Sequence, residues 1–185
     1  IMESKEDFSM KRLIIEIILY LALILVCVFI IPRYVIQRTK VIGSSMENTM
    51  YEGDNLLVEK VTYNFKNPDR FDIIVFYPYG KEEDPDDYYV KRIIGLPGEK
   101  VQIIGADIYI NGEILEENYG KDPITDPGVA RETITLGDNE YFVLGDNREV
   151  SEDSRVFGAV DKKNISGQVV FRIYPFNRFG PMTNK

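Results

Sequence analysis

Nineteen consecutive residues, Leu13 to Ile31, read LIIEIILYLALILVCVFII and carry a single charge. A helix needs roughly 20 apolar residues to cross a ~30 Å hydrocarbon core, so this run predicts one N-terminal transmembrane α-helix. The anchor is placed at residues 13–32, behind a short tail over residues 1–12. Glu16 falls in its first turn, within reach of the headgroups, which favours a plain anchor over a functional intramembrane acid. The basic pair Lys11-Arg12 would also suit a cleaved secretory leader. The apolar stretch exceeds the ~7–15 residues of a leader core, and Pro32-Arg33-Tyr34-Val35-Ile36 offers no small-x-small cleavage site, so the segment is expected to stay attached. Lys5, Lys11 and Arg12 on one flank balance Arg33, Arg38 and Lys40 on the other, and the flanking charges leave the orientation open.

Beyond the anchor the apolar residues come in short runs broken by turn residues: Leu56-Leu57-Val58, Asp72 to Phe76, Tyr88 to Ile94, Val101 to Ile104, Ile108-Tyr109-Ile110, Tyr141 to Leu144 and Val169 to Ile173. This is a strand pattern, and no window past residue 40 keeps a helical period for three turns. An all-β catalytic domain is expected, its antiparallel sheets forming a partly open, barrel-like core with a small β insertion. The core is assigned to residues 33–104 and 138–185, and a small hairpin and loop insertion to residues 105–137. Asn111-Gly112 between two strand-like runs predicts a type I′ hairpin. The polar span Glu116 to Arg131, with Pro123, Pro127 and Gly128, reads as a loop. Lys81 to Asp87 is a dense acidic run without calcium-loop spacing and reads as a solvated hairpin tip.

Charge and composition exclude several functions. Taking Lys5, Lys11 and Arg12 from the 22 basic residues, and Glu3, Glu6, Asp7 and Glu16 from the 30 acidic ones, leaves 19 against 26 beyond residue 32, a net of −7. Nucleic acid is not the expected partner, nor is anionic lipid held by charge alone. Histidine is absent, and the only cysteine, Cys27, lies within the apolar run. No metal and no cofactor are therefore expected.

The missing histidine also bears on Gly43-Ser44-Ser45-Met46-Glu47-Asn48-Thr49-Met50. A serine nucleophile there has to give its proton to some other base, and lysine is the remaining candidate. An ammonium accepts no proton, so that lysine has to be dry enough to be neutral near working pH. Lys91 lies in the run Tyr88 to Ile94, where strand alternation puts Tyr89, Lys91 and Ile93 on one largely apolar face. Lowering its pKa from about 10.4 to about 8 costs roughly 3 kcal/mol, tolerable at an active site. By spacing alone, a strand Lys-Arg pair more often keeps its charged ends in water. The third polar stretch, Gly145 to Gly158, follows an apolar strand and reads by itself as a hydrogen-bonded loop.

Taken in order, Gly43-x-Ser45-Met46-x-x-Thr49, Tyr89 to Gly98 and Gly145-Asp146-Asn147-Arg148-x-x-Ser151-x-Asp153-Ser154-Arg155-x-x-Gly158 resemble the signature boxes of bacterial type I signal peptidases. Glu52-Gly53-Asp54, the strand Phe71 to Phe76 and the closing Tyr174 to Gly180 extend the likeness over nearly all of residues 41–180. The resemblance implies a membrane-anchored Ser/Lys endopeptidase that removes signal peptides from exported preproteins after a small-x-small motif. It implies a single-pass protein of the bacterial cytoplasmic membrane, with its catalytic domain on the extracytoplasmic face and the lipid bilayer and signal peptides as partners.

By that resemblance Ser45 is the nucleophile and Lys91 the general base, and Ser151 helps to hold the amine. Arg92, Asp146, Asp153 and Arg155 brace the site. The Ser45 N–H serves the oxyanion, and Gly43 stands where some members have a serine as second donor. Met46, Met50, Tyr89 and Val90 are expected to wall the substrate pocket. Where the family usually has proline and leucine, this chain has Asn48 and Met50. Asn48 can adopt the φ a proline would hold without being locked to it, so a looser loop around Ser45 is expected. Two rival readings are a tethered β-domain that binds peptides without cutting them and a Ser/Lys autoprotease of the SOS-repressor type. The intact Ser45 and Lys91 count against the first, and the membrane span against the second. A penicillin-binding pattern is excluded, since no serine has lysine three residues on.

Overall fold

The computed structural model describes residues 2–80 and 88–182. The acidic run 81–87 lies outside the described residues. Two units separate, one ending at Gln37 and the other beginning at Arg38.

The first unit is a continuous helix as far as Val35, followed by the first two residues of a strand. The α-helix α1, Met2–Leu25, runs on as a wider π-helical stretch, Val26–Val35, that includes Pro32, a residue with no N–H to give to an α ladder. Within it, the 22 residues Met10–Ile31 are long and apolar enough to cross a membrane, and none is buried inside the protein. The helix continues three residues beyond the expected end of the anchor at residue 32.

The second unit is built from strands β1 (Ile36–Lys40), β2 (Asn55–Glu59), β3 (Ile73–Phe76), β4 (Tyr89–Gly95), β5 (Lys100–Ile104), β6 (Asp107–Ile110), β7 (Glu113–Ile114), β8 (Ile134–Thr135), β9 (Glu140–Leu144), β10 (Val160–Asp161), β11 (Ile165–Tyr174) and β12 (Gly180–Pro181). A one-turn helix, α2 (Ser154–Phe157), interrupts the stretch read as loop. The large sheet runs β1-β2-β11-β3-β4-β9-β10, with β12 on β11, and the small one β7-β6-β5-β8. The fold is thus mostly β, a curled antiparallel half-barrel. Register shifts in β11 and between β4 and β9 supply local bends of the kind that curl a sheet.

Period-two alternation with both faces covered explains why the strands read as continuous apolar runs. In β3, Ile73 and Val75 enter one core with Met46, Met50, Leu56 and Val58, whereas Ile74 and Phe76 enter another with Ile93, Tyr141 and Val143. In β9, Phe142 and Leu144 turn the other way and meet Val101, Ile103, Ile108 and Ile110 of the small sheet. The Asn111-Gly112 hairpin forms as expected, with positive φ at both residues and Ile110 opposite Glu113. One boundary moves. β5 pairs with β6 and β8, so the small sheet begins at Lys100 rather than at residue 105.

Candidate active site

Ser45 opens a tight turn in which Glu47 N donates to Ser44 O at 3.0 Å, and Thr49 N and Met50 N donate to Met46 O at 3.1 and 2.8 Å. Met46 and Met50 form its apolar underside and are buried against Leu56 and Val75. That packing leaves Ser45 half-buried at the surface of the turn. From β4 comes Lys91, only 4% exposed, with its Nζ in hydrogen-bond contact with Ser45 Oγ at 2.8 Å.

Burial lowers the Lys91 pKa from its ordinary 10.5 to about 8, because the ammonium loses hydration. The carboxylates of Asp153, Glu152 and Asp146 pull it upward, and the Arg155 guanidinium pushes it down. The Tyr89 ring, 5.1 Å from Nζ, also favours the charged form. Desolvation exceeds these opposing pulls.

Both groups face a cleft of about 470 Å³ that runs between residues 40–46 and the start of β4. Met46, Met50, Tyr89 and Val90 all line it, Met46 and Met50 as a buried floor and Tyr89 and Val90 as half-buried wall. At one end Thr39 Oγ1 and Tyr88 Oη meet at 3.1 Å and tie β1 to the approach of β4.

The bracing residues converge from three segments. Arg92 forks onto Asp146, with Nε at 2.9 Å from Oδ1 and Nη2 at 2.7 Å from Oδ2, and both side chains are almost fully buried. Thr49 Oγ1 donates to the same carboxylate and accepts from Arg92 Nη2 at 3.1 Å. Arg155 forks onto Asp153 at 2.9 Å for each bond, and Asp153 Oδ2 also accepts Gly145 N–H at 3.0 Å. Asn147 straps the Ser45 backbone directly, its N–H donating to Ser45 O at 3.0 Å and its Nδ2 to Ser44 O at 3.2 Å.

Gly145 is needed for closeness. A Cβ there would lie 2.1 Å from Ser151 Oγ and 2.5 Å from Ser45 O. The stretch after β9 can press onto the Ser45 turn only because this residue has no side chain.

Two expectations are corrected. Ser151 is buried, but its Oγ makes no hydrogen bond among the described residues, and the expected contact with the Lys91 amine is not formed. Asn48 does not imitate proline. Its φ is +98°, far from the −65° that a pyrrolidine ring imposes, and its Nδ2 donates to Tyr119 O at 3.1 Å. Asparagine tolerates positive φ where most residues do not, and a carbonyl placed to accept its amide holds it there. Gly43, at φ +84°, contributes no hydroxyl.

The sequence reading assigned no role to Thr49, Asn147, Glu117, Tyr119, Lys121 or Arg172. Thr49 and Asn147 stand inside the quoted boxes and were readable as polar neighbours of the dyad. Arg172 lies in an apolar strand run, and its Nη2 donates to Thr49 O at 2.7 Å while Asp54 pairs with it at 3.4 Å. Glu117, Tyr119 and Lys121 sit in the span read as plain loop.

Comparison with known proteins gives a consistent answer. The family described as signal peptidase, peptidase S26, matches residues 14–174. Signal peptidase I of Leptolyngbya laminosa is 40% identical over 156 residues, covering 82% of this chain and 75% of that protein. Signal peptidase IB of Staphylococcus aureus strain COL is 34% identical over 185 residues, covering 92% and 94%. A probable signal peptidase I-2 of Synechocystis is 36% identical over 156 residues, covering 83% and 70%. The crystal structure of a signal peptidase I from Enterococcus faecalis V583 aligns with 35% identity and a TM-score of 0.44, over 56% of this chain and 97% of that one. On the extent of the family match and the identity of these relatives, the chain belongs to the signal peptidase family S26 and is a serine peptidase.

Proposed function

We propose that this chain cleaves signal peptides from membrane-delivered preproteins, with Ser45 as nucleophile and Lys91 as general base. The observation that carries the reading is a buried amine 2.8 Å from a hydroxyl at the floor of an open cleft. Neutral Lys91 takes the Ser45 proton as Oγ attacks the scissile carbonyl. The resulting ammonium delivers that proton to the leaving amine, and the acyl group stays on Ser45. A water deprotonated by the same amine then attacks the ester and frees the enzyme.

The developing oxyanion requires donors held in place beforehand. The Ser45 N–H makes no hydrogen bond with the described residues and is available for that task, whereas Gly43 offers none through a side chain. Removing one such donor costs about 3 kcal/mol in related chemistry, so this site works with the main-chain donor or adds a water.

Substrate lies extended between residues 40–43 and the start of β4, adding a strand across the cleft. Met46, Met50, Tyr89 and Val90 wall shallow subsites suited to small side chains at the first and third positions before the cut, which supports a small-x-small preference. Helix α1 holds the enzyme in the bacterial cytoplasmic membrane as a single-pass protein, with its catalytic unit on the outer face where preproteins emerge.

Purified full-length protein in detergent is expected to cut a preprotein after a small-x-small motif. Ser45→Ala and Lys91→Ala are each expected to be folded and inactive. Full activity in Lys91→Ala would remove the mechanism, and none in the parent would remove the function.

A further inference from the structure

The turn that carries Ser45 is gripped from behind by residues 117–121, a segment with no regular structure. Asn48 Nδ2 donates to Tyr119 O at 3.1 Å, and Lys121 Nζ donates to Glu47 Oε2 at 2.8 Å. Lys121 N donates to Asp146 O at 2.7 Å, and Glu117 pairs with buried Arg148 at 2.8 Å, so the segment also holds the stretch after β9. The Tyr119 ring lies 3.7 Å from the Arg92 guanidinium and 5.1 Å from the Phe71 ring. Arg92 is therefore fixed on one side by its fork to Asp146 and on its flat face by Tyr119.

The segment is itself anchored. Leu115 on one side and Ile124 on the other pack into the core beneath the small sheet. It spans from that core to the nucleophile turn like a strap. The Lys121–Glu47 pair is partly exposed, so solvent screens it and it contributes little. The Tyr119 stack on a buried guanidinium and the Asn48 amide bond are the effective grips.

We propose that residues 117–121 position the Ser45 turn for reaction, with Tyr119 and Asn48 as the positioning residues. This rests on the reading of Ser45 as nucleophile. None of residues 117–121 lines the cleft, and the strap reaches it through the turn, Arg92, Asp146 and Arg148. Its loss therefore lowers turnover chiefly, with a smaller effect on binding through Met46 and Met50 of the same turn.

The test uses full-length protein in detergent and two readouts, hydrogen exchange of residues 44–50 and steady-state kcat and KM on a preprotein. Tyr119→Ala is expected to speed exchange of the turn about tenfold or more, and to lower kcat by a similar factor with KM within about threefold of the parent. Tyr119→Phe, which keeps the stacked ring, is expected to recover most of both. Asn48→Pro, whose ring forbids φ +98°, is expected to act like Tyr119→Ala. Asn48 is exposed, so this variant supplies the reading where Tyr119→Ala does not fold. Exchange and kcat within twofold of the parent in the folded variants would overturn the proposal, as would a kcat loss without faster exchange. Should the parent cut no preprotein, the functional reading fails while the exchange readout still decides whether the strap holds the turn.

Discussion

An amine that is to accept a proton from Ser45 has to be uncharged for part of the time, and in Lys91 burial lowers the pKa to about 8. Below that pH the ammonium predominates and cannot act as base. The rate of cleavage is therefore expected to rise with an apparent pKa near 8 and then level off, which a pH–rate profile reads directly. The same shift affects stability. The unfolded chain holds the Lys91 proton up to about 10.5 and the folded chain only to about 8, so stability increases with pH between those values and the full penalty applies below 8. That penalty is about 3 kcal/mol. Lys91→Met, nearly isosteric and apolar, is expected to be inactive yet more stable than the parent at pH 7, by up to about 3 kcal/mol, the advantage vanishing by pH 10.5. Equal midpoints in urea at pH 7 would show that the ammonium is better solvated than its burial implies. The need for a dry lysine was readable from the missing histidine and the apolar neighbours of Lys91. The idle Ser151 hydroxyl and the φ of Asn48 were not, because both depend on contacts with segments far along the chain.

At the scale of elements, the site is a junction of the Ser45 turn, β4 and the stretch leaving β9. Gly145→Ala is expected to push Ser45 O aside, since a Cβ would fall 2.5 Å from that backbone atom. Displacing a nucleophile by about an ångström can cost about 10²-fold in rate, and overpacking about 1–3 kcal/mol in stability. A folded Gly145→Ala with parental kcat would mean that the junction yields without moving Ser45. Asp146→Ala leaves the Arg92 guanidinium buried and without its carboxylate, and a loss of about 3–5 kcal/mol is expected in chemical unfolding. Which strands form was legible, because local alternation and the Asn111-Gly112 turn are written in neighbouring residues. The strap was not, because Asn48 and Tyr119 are 71 positions apart and neither stands in a periodic run. The start of the small sheet was misplaced for a related reason, since Val101 to Ile104 reads as a strand whichever sheet receives it.

For the whole molecule, the apolar run made the helix plain, and the anchoring proposed for it has consequences beyond attachment. Residues from 33 onward carry a net charge of −7, so anionic lipid repels the catalytic unit and its presence at the bilayer depends on the helix. Apolar pockets discriminate little per methylene, so a short small-x-small motif gives weak binding by itself. Tethering enzyme and precursor to one bilayer compensates by raising their effective concentration. Ser45, Lys91 and the side chains around them all lie within the unit that begins at Arg38. A protein reduced to residues 38–185 is therefore expected to cut a soluble peptide with kcat/KM within about threefold of the parent, while its rate on a precursor embedded in vesicles falls about 10²-fold. Measured side by side, equal losses on both substrates would mean that the helix supports the catalytic unit itself. No loss on either would mean that proximity at the membrane contributes nothing to selection.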